Sequence, residues 1–300
     1  PAAMAEVTLS GAINLGIEIG KTNEGTPPGG ESLTQTSLNS NYSHVDLESV
    51  DDIGDGNKII FHYQLVAQPQ NATGNNDNNR NSFLGVMGGW GAFKMGTNEN
   101  VYERFMYTAD PLDGALGPGG NLNILGTPGI GQVFDAGQST CGNPTTTATS
   151  GCTGFYRRTD QTIWYESPNW SGFSFEVDYT LSAYKSNKPD ANPYIISAGG
   201  KYAPEGAPYY VDLSFEQHKD MFGLNQIGNF YGVATTGATG STDTGIQIGG
   251  GWTFGDLALH ARYEQLKYKD DGVTSFFDEY KRSAHWFGAK YNLPSGYVGG

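Results

Sequence analysis

The sequence predicts an all-β fold, a transmembrane antiparallel β-barrel, because apolar and polar side chains alternate strictly along much of the chain. Residues 173–181 show the pattern most clearly: Phe173 and Phe175 would share one face of a strand. Glu176 and Asp178 would share the opposite face. A soluble β-sandwich turns such a polar face to solvent, whereas a membrane barrel turns it into a water-filled lumen. The connections between strands favour the barrel.

These connections alternate in length. Three are short, at residues 167–172, 203–208 and 255, and three are longer, at residues 97–155, 186–193 and 221–243. Short turns at one end and long loops at the other are typical of outer-membrane barrels, and a sandwich does not require this rhythm. Aromatic residues also recur near strand ends, where membrane barrels carry girdles at the two interfaces. They include Trp164, Trp170, Trp252 and Trp286.

About twelve strands can be counted, with the start of another near residue 297. We expect them at residues 7–19, 44–48, 59–65, 80–87, 92–96, 158–167, 172–185, 194–202, 209–219, 244–254, 256–269 and 283–292. Residues 97–155 are expected to form a long irregular connection, and loops of that length are uncommon unless they are functional. We detect no repeat or interdomain linker, so residues 6–300 are interpreted as one barrel domain.

Composition limits the possible functions of the 300-residue chain. It contains 37% hydrophobic residues, with 18 Tyr, 15 Phe and 44 Gly, and no apolar run approaches the roughly 20 residues that a membrane helix needs. The net charge of −14 argues against nucleic acid, which calls for a clustered basic surface. It is compatible with a surface protein or with a pore that attracts cations.

The two cysteines indicate an oxidising compartment. Cys141 and Cys152 lie in a segment rich in Gly, Thr, Asn and Pro, and no histidine stands near them to complete a metal site. We expect a disulfide that closes a small loop.

The ends of the sequence suggest a fragment. Ala3 and Ala5 have the small-residue spacing found at the end of a secretory signal peptide, so residues 1–5 are expected to be a signal remnant. Residues 297–300 resemble the opening of a further strand, so we expect C-terminal strands to be missing.

Several segments resemble the Gram-negative general-diffusion porins, in particular those of betaproteobacteria. Residues 6–11, Glu-Val-Thr-Leu-Ser-Gly, look like the opening strand of that family. Residues 80–86 and 91–96 are similar to the strand pair that precedes its constriction loop. The most specific match is Tyr-Glu-Ser-Pro-Asn-Trp-Ser-Gly-Phe at residues 165–173, which resembles a turn of the family.

The resemblance implies a sixteen-stranded barrel, usually trimeric, with the third external loop folded inward to narrow the pore. Such a protein would lie in the Gram-negative outer membrane, in contact with membrane lipid and lipopolysaccharide. It would carry ions and small hydrophilic solutes by passive diffusion, with no cofactor, metal or nucleic acid. The resemblance also places Cys141 and Cys152 in the third loop.

A ladder of basic residues on the barrel wall faces acidic residues of the inward loop in this family. Arg80 and Arg158 match ladder positions, whereas His44, Glu48 and Thr97 stand where basic residues are frequent. The predicted constriction and lumen residues are Arg80, Arg158, Lys94, His44, Asp46, Glu48, Glu99, Glu103, Asp110 and Asp113. Further acidic residues are expected on the lumen wall: Glu166, Glu176, Asp178, Asp212, Glu216 and Glu264. The presence of His44, Glu48 and Thr97 where basic residues are frequent predicts a weak to moderate preference for cations.

Two other classes of protein stay open at this point. An outer-membrane barrel enzyme, a protease or phospholipase, would need a Ser/His or Asp/His constellation, but the five histidines are scattered in the sequence and Gly-x-Ser-x-Gly is absent. A secreted soluble β-sandwich that binds carbohydrate would use the Asn/Asp/Gly loops, although no calcium-loop motif occurs among them.

Overall fold

Antiparallel strands dominate the structure, a computed structural model. It describes residues 6–22, 33–40, 43–67, 69, 79–110, 121, 124–129, 154–181, 192–221, 223–224, 227, 240–270, 278–294 and 296–299. The strands are β1 (Val7–Ala12), β2 (Leu15–Thr22), β3 (Leu33–Ser40), β4 (His44–Gly54), β5 (Asn57–Val66), β6 (Asn79–Gly88), β7 (Gly91–Glu99), β8 (Arg158–Glu166), β9 (Phe173–Thr180), β10 (Tyr194–Tyr202), β11 (Tyr209–Lys219), β12 (Thr242–Phe254), β13 (Leu257–Lys269), β14 (Glu279–Leu293) and β15 (Gly296–Gly299). One helix, α1 (Val101–Tyr107), follows β7.

A single sheet contains thirteen of these strands. Its order is β1, β4, β5 and then each strand in sequence to β15, and every neighbouring pair is antiparallel. β2 and β3 form a separate two-stranded sheet. Among the described residues no ladder joins β1 to β15, so these two strands are the edges of the sheet. The prediction of an all-β antiparallel architecture is confirmed.

The polarity of the sheet is inverted relative to a soluble protein. On β11, Leu213 is 50% exposed and Phe215 is 39% exposed, whereas Asp212 and Glu216 are buried. The same division holds on β12, where Ile246 and Ile248 are exposed and Gln247 is buried. A surface covered by branched and aromatic side chains suits contact with lipid, and the polar face suits an aqueous lumen.

The first predicted strand, residues 7–19, is interrupted at residues 13–14. The hydroxyl of Ser43 donates to the carbonyl of Asn14 (3.0 Å) and accepts from its amide (2.8 Å), and this contact replaces the regular ladder. β3 escaped prediction because its sequence, Leu-Thr-Gln-Thr-Ser-Leu-Asn-Ser, has too few apolar residues to show alternation.

The turn between β8 and β9 explains the most specific sequence motif. Asn169 accepts a hydrogen bond from the amide of Gly172 (2.6 Å), and Ser167 accepts one from the amide of Phe175 (2.8 Å). Gly172 has φ +99°, and a Cβ there would lie 2.6 Å from the Cα of Pro204. Only glycine meets both requirements, so the motif encodes a tight turn that packs on its neighbour.

The connection at residues 97–155 was predicted to be irregular, and this prediction was wrong for the first residues of the segment. β7 continues to Glu99, and α1 begins two residues later. Within the described ranges, no helix has the length and apolarity needed to cross a membrane. α1 is positioned instead by polar contacts with the inner face of the sheet.

Substitution of Leu213 by arginine should destabilise the protein by about 2–4 kcal/mol in lipid vesicles, because the side chain lies near the middle of an outward-facing apolar row. Glu205→Arg, at an exposed turn, is the control and should change the free energy of unfolding by less than about 0.5 kcal/mol. Equal effects of the two variants on reversible urea unfolding would contradict the assignment of the outer face.

Candidate pore constriction

Helix α1 begins with a complete set of partners for its first amides. Asn100 is the N-cap, and its side-chain oxygen accepts from the amide of Glu103 at 2.7 Å. The amide of Val101 donates to Asp178 on β9 (2.6 Å), and that of Tyr102 donates to Ser197 on β10 (2.9 Å). Strand side chains therefore satisfy the donors that a free helix would leave unpaired, and they fix α1 to the wall.

Tyr102 connects the helix to β12 and β13. Gln247 donates to its carbonyl oxygen (2.6 Å), and its hydroxyl donates to Glu264 (3.1 Å). The same Glu264 carboxylate oxygen accepts from the amide of Gly126 at 2.6 Å. One buried side chain of β13 thus holds two parts of the segment between β7 and β8 that are 24 residues apart in sequence.

The C-terminal end of α1 contacts a buried ion pair. Arg262 lies 2.8 Å from Asp212, and both side chains are fully buried. Thr108 donates to Asp212 and accepts from Arg262, each at 2.9 Å. Tyr210 donates to the carbonyl oxygen of Thr108 (2.8 Å). These hydrogen bonds join the pair to the residue that follows α1, and the pair thereby determines where the helix ends on the wall.

Close packing supplements the polar contacts of α1. A Cβ placed on Gly199 of β10 would lie 2.8 Å from the ring of Phe105. Glycine at this position lets the aromatic ring of the helix rest directly on the strand backbone. The helix therefore sits closer to the wall than any larger residue on β10 would allow.

Arg158 and Glu99 form an ion pair at the base of the helix. The guanidinium Nη2 of Arg158 lies 2.5 Å from Glu99, and its Nε donates to Asn81 at 2.7 Å. Arg158 is at the start of β8 and Glu99 at the end of β7, where the register places them opposite each other. The structure thus brings together one predicted basic ladder residue and one predicted acidic residue.

Glu103 lies beside this pair. Burial, with the nearby charge of Glu99, raises the pKa of Glu103 to about 7, and the positive charges of Arg158 and Arg80 act against this rise. Tyr107, one turn later on α1, donates to the Glu103 carboxylate at 2.5 Å. The protonation state of this side chain consequently changes near neutral pH.

The remaining acidic loop residues lie elsewhere. Asp110 is buried beyond Thr108, at the end of α1 away from Glu103. Asp113 falls outside the described residues, as do Cys141 and Cys152, so their predicted roles stay predictions.

His44, Asp46 and Glu48 share the inner face of β4 and form a network with β5. His44 lies 3.2 Å from Asp46, and His62 lies 2.8 Å from Glu48 and 3.5 Å from Asp46. Gln64 donates to Asp46 at 2.8 Å. At these positions the wall carries two carboxylates and two histidines in place of fixed cations.

Lys94 belongs to a different part of the wall. Its ammonium contacts both oxygens of Glu166 at 2.7 Å, close to the short turn between β6 and β7. The indole of Trp164 donates to the same carboxylate at 3.1 Å. The charge of Lys94 is therefore balanced by Glu166 near this turn, and Lys94 is not part of the ion pair that Arg158 forms with Glu99.

Sequence reasoning missed Arg104, which contacts Glu176 on β9 through Nε (2.9 Å) and Nη2 (2.6 Å) and also donates to the carbonyl oxygen of Glu99. No alternation pattern covers a short helix, so the sequence gave no warning of this cation. The expectation that all the wall carboxylates face open water was also wrong. Four of them are 0–3% exposed beneath the docked segment: Asp178, Asp212, Glu216 and Glu264.

Comparison with known proteins decides the family. The sequence profile of the Gram-negative porins matches residues 1–300. This chain is a Gram-negative porin. Its place is the outer membrane, and both the sequence resemblance and the predicted barrel fold are confirmed.

Curated relatives of this porin are distant. An outer membrane porin protein of Bordetella pertussis is 22% identical over 285 residues, covering 83% of this chain and 63% of the relative. The major outer membrane protein P.IB of Neisseria meningitidis is 26% identical over 223 residues, covering 73% of this chain and 57% of the relative. The chain thus spans less than two thirds of the length of these relatives.

Solved porins share the fold. The anion-selective porin from Comamonas acidovorans superposes with a TM-score of 0.67 at 19% identity, covering 97% of this chain and 75% of that one. OmpF of Salmonella typhi gives a TM-score of 0.57 at 14% identity, covering 97% of this chain and 75% of that one. Because the sequence identities are this low, the two superpositions show a shared fold and nothing more.

Replacement of Gly199 by alanine should push Phe105 and α1 off the wall. Overpacking of this kind costs about 1–3 kcal/mol, and displacement of the helix should change single-channel conductance measurably. Gly200→Ala is a matched control, because a Cβ there meets nothing closer than 3.6 Å. Thermal unfolding and conductance of both variants test the docking, and an unchanged Gly199→Ala protein would contradict it.

Proposed function

We propose that this porin forms the wall and constriction of a water-filled channel for passive diffusion of ions and small hydrophilic solutes. The observation that carries the proposal is the anchoring of α1 to the inner face of β9–β13, with the Arg158–Glu99 pair beside it. A segment held against one side of an aqueous lumen narrows it without blocking it. Ion conductance of the protein in a planar bilayer tests this directly.

The charge distribution supports a preference for cations. On β4, Glu48 occupies a position where the family resemblance leads us to expect a basic residue, and Asp46 lies on the same face. Arg158 and Arg104 are each paired with a carboxylate, at 2.5 and 2.6 Å. Fixed negative charge along an aqueous path raises the local concentration of cations, most strongly at low salt. We therefore propose weak to moderate cation selectivity.

The proposed partners follow from the membrane setting. We propose a homotrimer embedded in membrane lipid and lipopolysaccharide, with small solutes and ions as the transported species. The net charge of −14 gives nucleic acid no basic surface of sufficient extent.

Catalysis has no part in the proposed function. His218 is fully buried against Glu216 at 2.6 Å, a site without access to a lipid or peptide substrate. His44 and His62 face the carboxylates of Asp46 and Glu48. Hydrolysis of phospholipid or peptide by the purified protein, lost in a His62→Ala variant, would overturn this part of the proposal.

Arg158→Ala should increase the preference for cations, because it removes a fixed positive charge and leaves Glu99 without its ion-pair partner. We expect the cation-to-anion permeability ratio to rise by about twofold or more at low salt. Lys94→Ala is the control, since it removes an equally ion-paired cation near the short turn between β6 and β7, away from α1. Reversal potentials under a salt gradient measure the ratio, and a shift toward anions in Arg158→Ala would refute the charge assignment.

Selectivity should also depend on pH through Glu103. With its pKa raised to about 7, the side chain is neutral at pH 5 and negative at pH 9, so cation preference should rise across this range. Glu103→Gln isolates the glutamate, because the variant should show a smaller change in reversal potential between pH 5 and 9. Identical pH profiles in the variant and the wild type would exclude Glu103 from the ion path.

A further inference from the structure

An apolar core lies on the inner face of the wall, where an aqueous lumen favours polar side chains. Leu266 and Tyr268 of β13 have the same parity as the inward-facing Glu264, and both are fully buried. On the inner face of β14, Ala284 and Trp286 are buried in the same core. Part of the wall is therefore apolar on its inner side, and other parts of the chain hide it from water.

The segment between β7 and β8 supplies one part of this cover. Phe155 stacks on His218 of β11 with ring centroids 4.3 Å apart, and it meets Tyr268 edge-on at 5.7 Å. A Cβ on Gly245 of β12 would lie 2.8 Å from the Phe155 ring, so glycine there lets the ring rest on the strand. Leu125 of the same segment is also fully buried in the core.

The connection between β11 and β12 supplies a second part of the cover. Leu224 and Ile227 are buried in the same core as the residues that follow β7. A Cβ on Gly223 would lie 2.8 Å from the Tyr268 ring. The amide of Gly223 also donates to Asp243 of β12 at 3.2 Å. These contacts hold this connection against the inner face of β12 and β13.

The chain turns inward as soon as it leaves β11. Asp220 has φ +52°, a left-handed conformation that aspartate adopts more readily than most residues. Its carboxylate accepts from the amides of Asn192 (2.9 Å) and Gly240 (3.2 Å), and the latter contact ties together the two ends of the connection. Met221 then packs on Ile195, an inward residue of β10. We define the inward segment as Met221, Gly223, Leu224 and Ile227.

Two separate connections thus share one dry core inside the barrel. Apolar side chains on the wall and on both connections bury one another, because each would otherwise face the water of the lumen. The core covers the inner face of β11–β14, whereas Glu48 on β4 keeps a side chain that is 47% exposed. The open part of the lumen therefore lies on the side of β4–β8.

We propose that the inward segment is a second constricting element, which together with α1 closes the β11–β14 side of the lumen and sets the size limit of the channel. Solutes then pass between α1 and the inner faces of β4–β8. A path confined to one side of the lumen should admit a monosaccharide and exclude a trisaccharide, because pore diameter limits which solutes pass. The inference rests on the proposed function and names the size class of its solutes.

The first test measures single-channel conductance and the swelling of liposomes that contain the full-length porin. The double variant Leu224→Ala/Ile227→Ala should release the inward segment from the wall. Its conductance should rise by about 1.5-fold or more, and its liposomes should swell in raffinose, a trisaccharide that the wild type excludes. Leu224→Ala alone should give an intermediate increase, which keeps the test valid if the double variant folds poorly. Ile124→Ala is the matched control, because Ile124 is 41% exposed, and it should behave as the wild type does.

Cysteine labelling tests the cover independently of conductance. With Cys141 and Cys152 replaced by serine, Ala284→Cys should resist a water-soluble maleimide, and it should become reactive when Leu224→Ala and Ile227→Ala are added. Glu48→Cys, on the open inner face of β4, should react in both backgrounds.

Unchanged conductance and an unchanged solute limit in the double variant would overturn the proposal. Equal reactivity of Ala284→Cys with and without the two alanine substitutions would overturn it as well. A wild-type protein that forms no channel would refute the proposed function, while the labelling would still decide whether the inward segment covers the wall.

Discussion

The buried carboxylates beneath α1 are the interaction on which the rest of the structure depends. Asp178, Asp212 and Glu264 would be costly to bury without partners, and each finds donors on the segment between β7 and β8. That segment in turn has its backbone amides satisfied by these side chains. Wall and loop thus share these hydrogen bonds, which hold the charged side of α1 at a fixed distance from Arg158.

The charged residues of the inner face therefore form two groups, according to whether they bond to the docked segment. One group, beneath the docked segment, contributes to position, and its charge is matched locally by donors such as Arg262. The other group lies on β4–β8 and at the start of α1. In the channel proposed above, a total count of acidic residues would therefore overstate the negative field that an ion meets.

The architecture could be predicted from sequence because membrane strands alternate on both sides of the wall, and the turn at residues 167–172 carries its own hydrogen-bonding side chains. α1 could not, since seven residues are too few for helical periodicity to be recognised in the sequence, although the buried Val101, Tyr102, Phe105 and Met106 share one face. Arg104 escaped prediction for the same reason, and β3 because it lacks an apolar face. The family pattern singled out Glu99 and Arg158 but placed them on opposite sides of the constriction, whereas the register makes them neighbours on β7 and β8. The burial of Glu216 depends on what the loop covers, which no local pattern records.

The contact between Ser43 and Asn14 divides the first hairpin into two mechanically distinct parts. On one side of it, β1 follows the register of β4 and belongs to the wall. On the other side, β2 pairs with β3 and with no further strand in the described part of the chain. A shift of one residue in the pairing of a strand moves all its side chains to the opposite face. If the pairing were continuous, an insertion in the hairpin would shift the register of the membrane portion as well. The break prevents this shift. The outermost hairpin can accordingly change in length and composition while the lipid-facing residues of β1 and β4 keep their orientation.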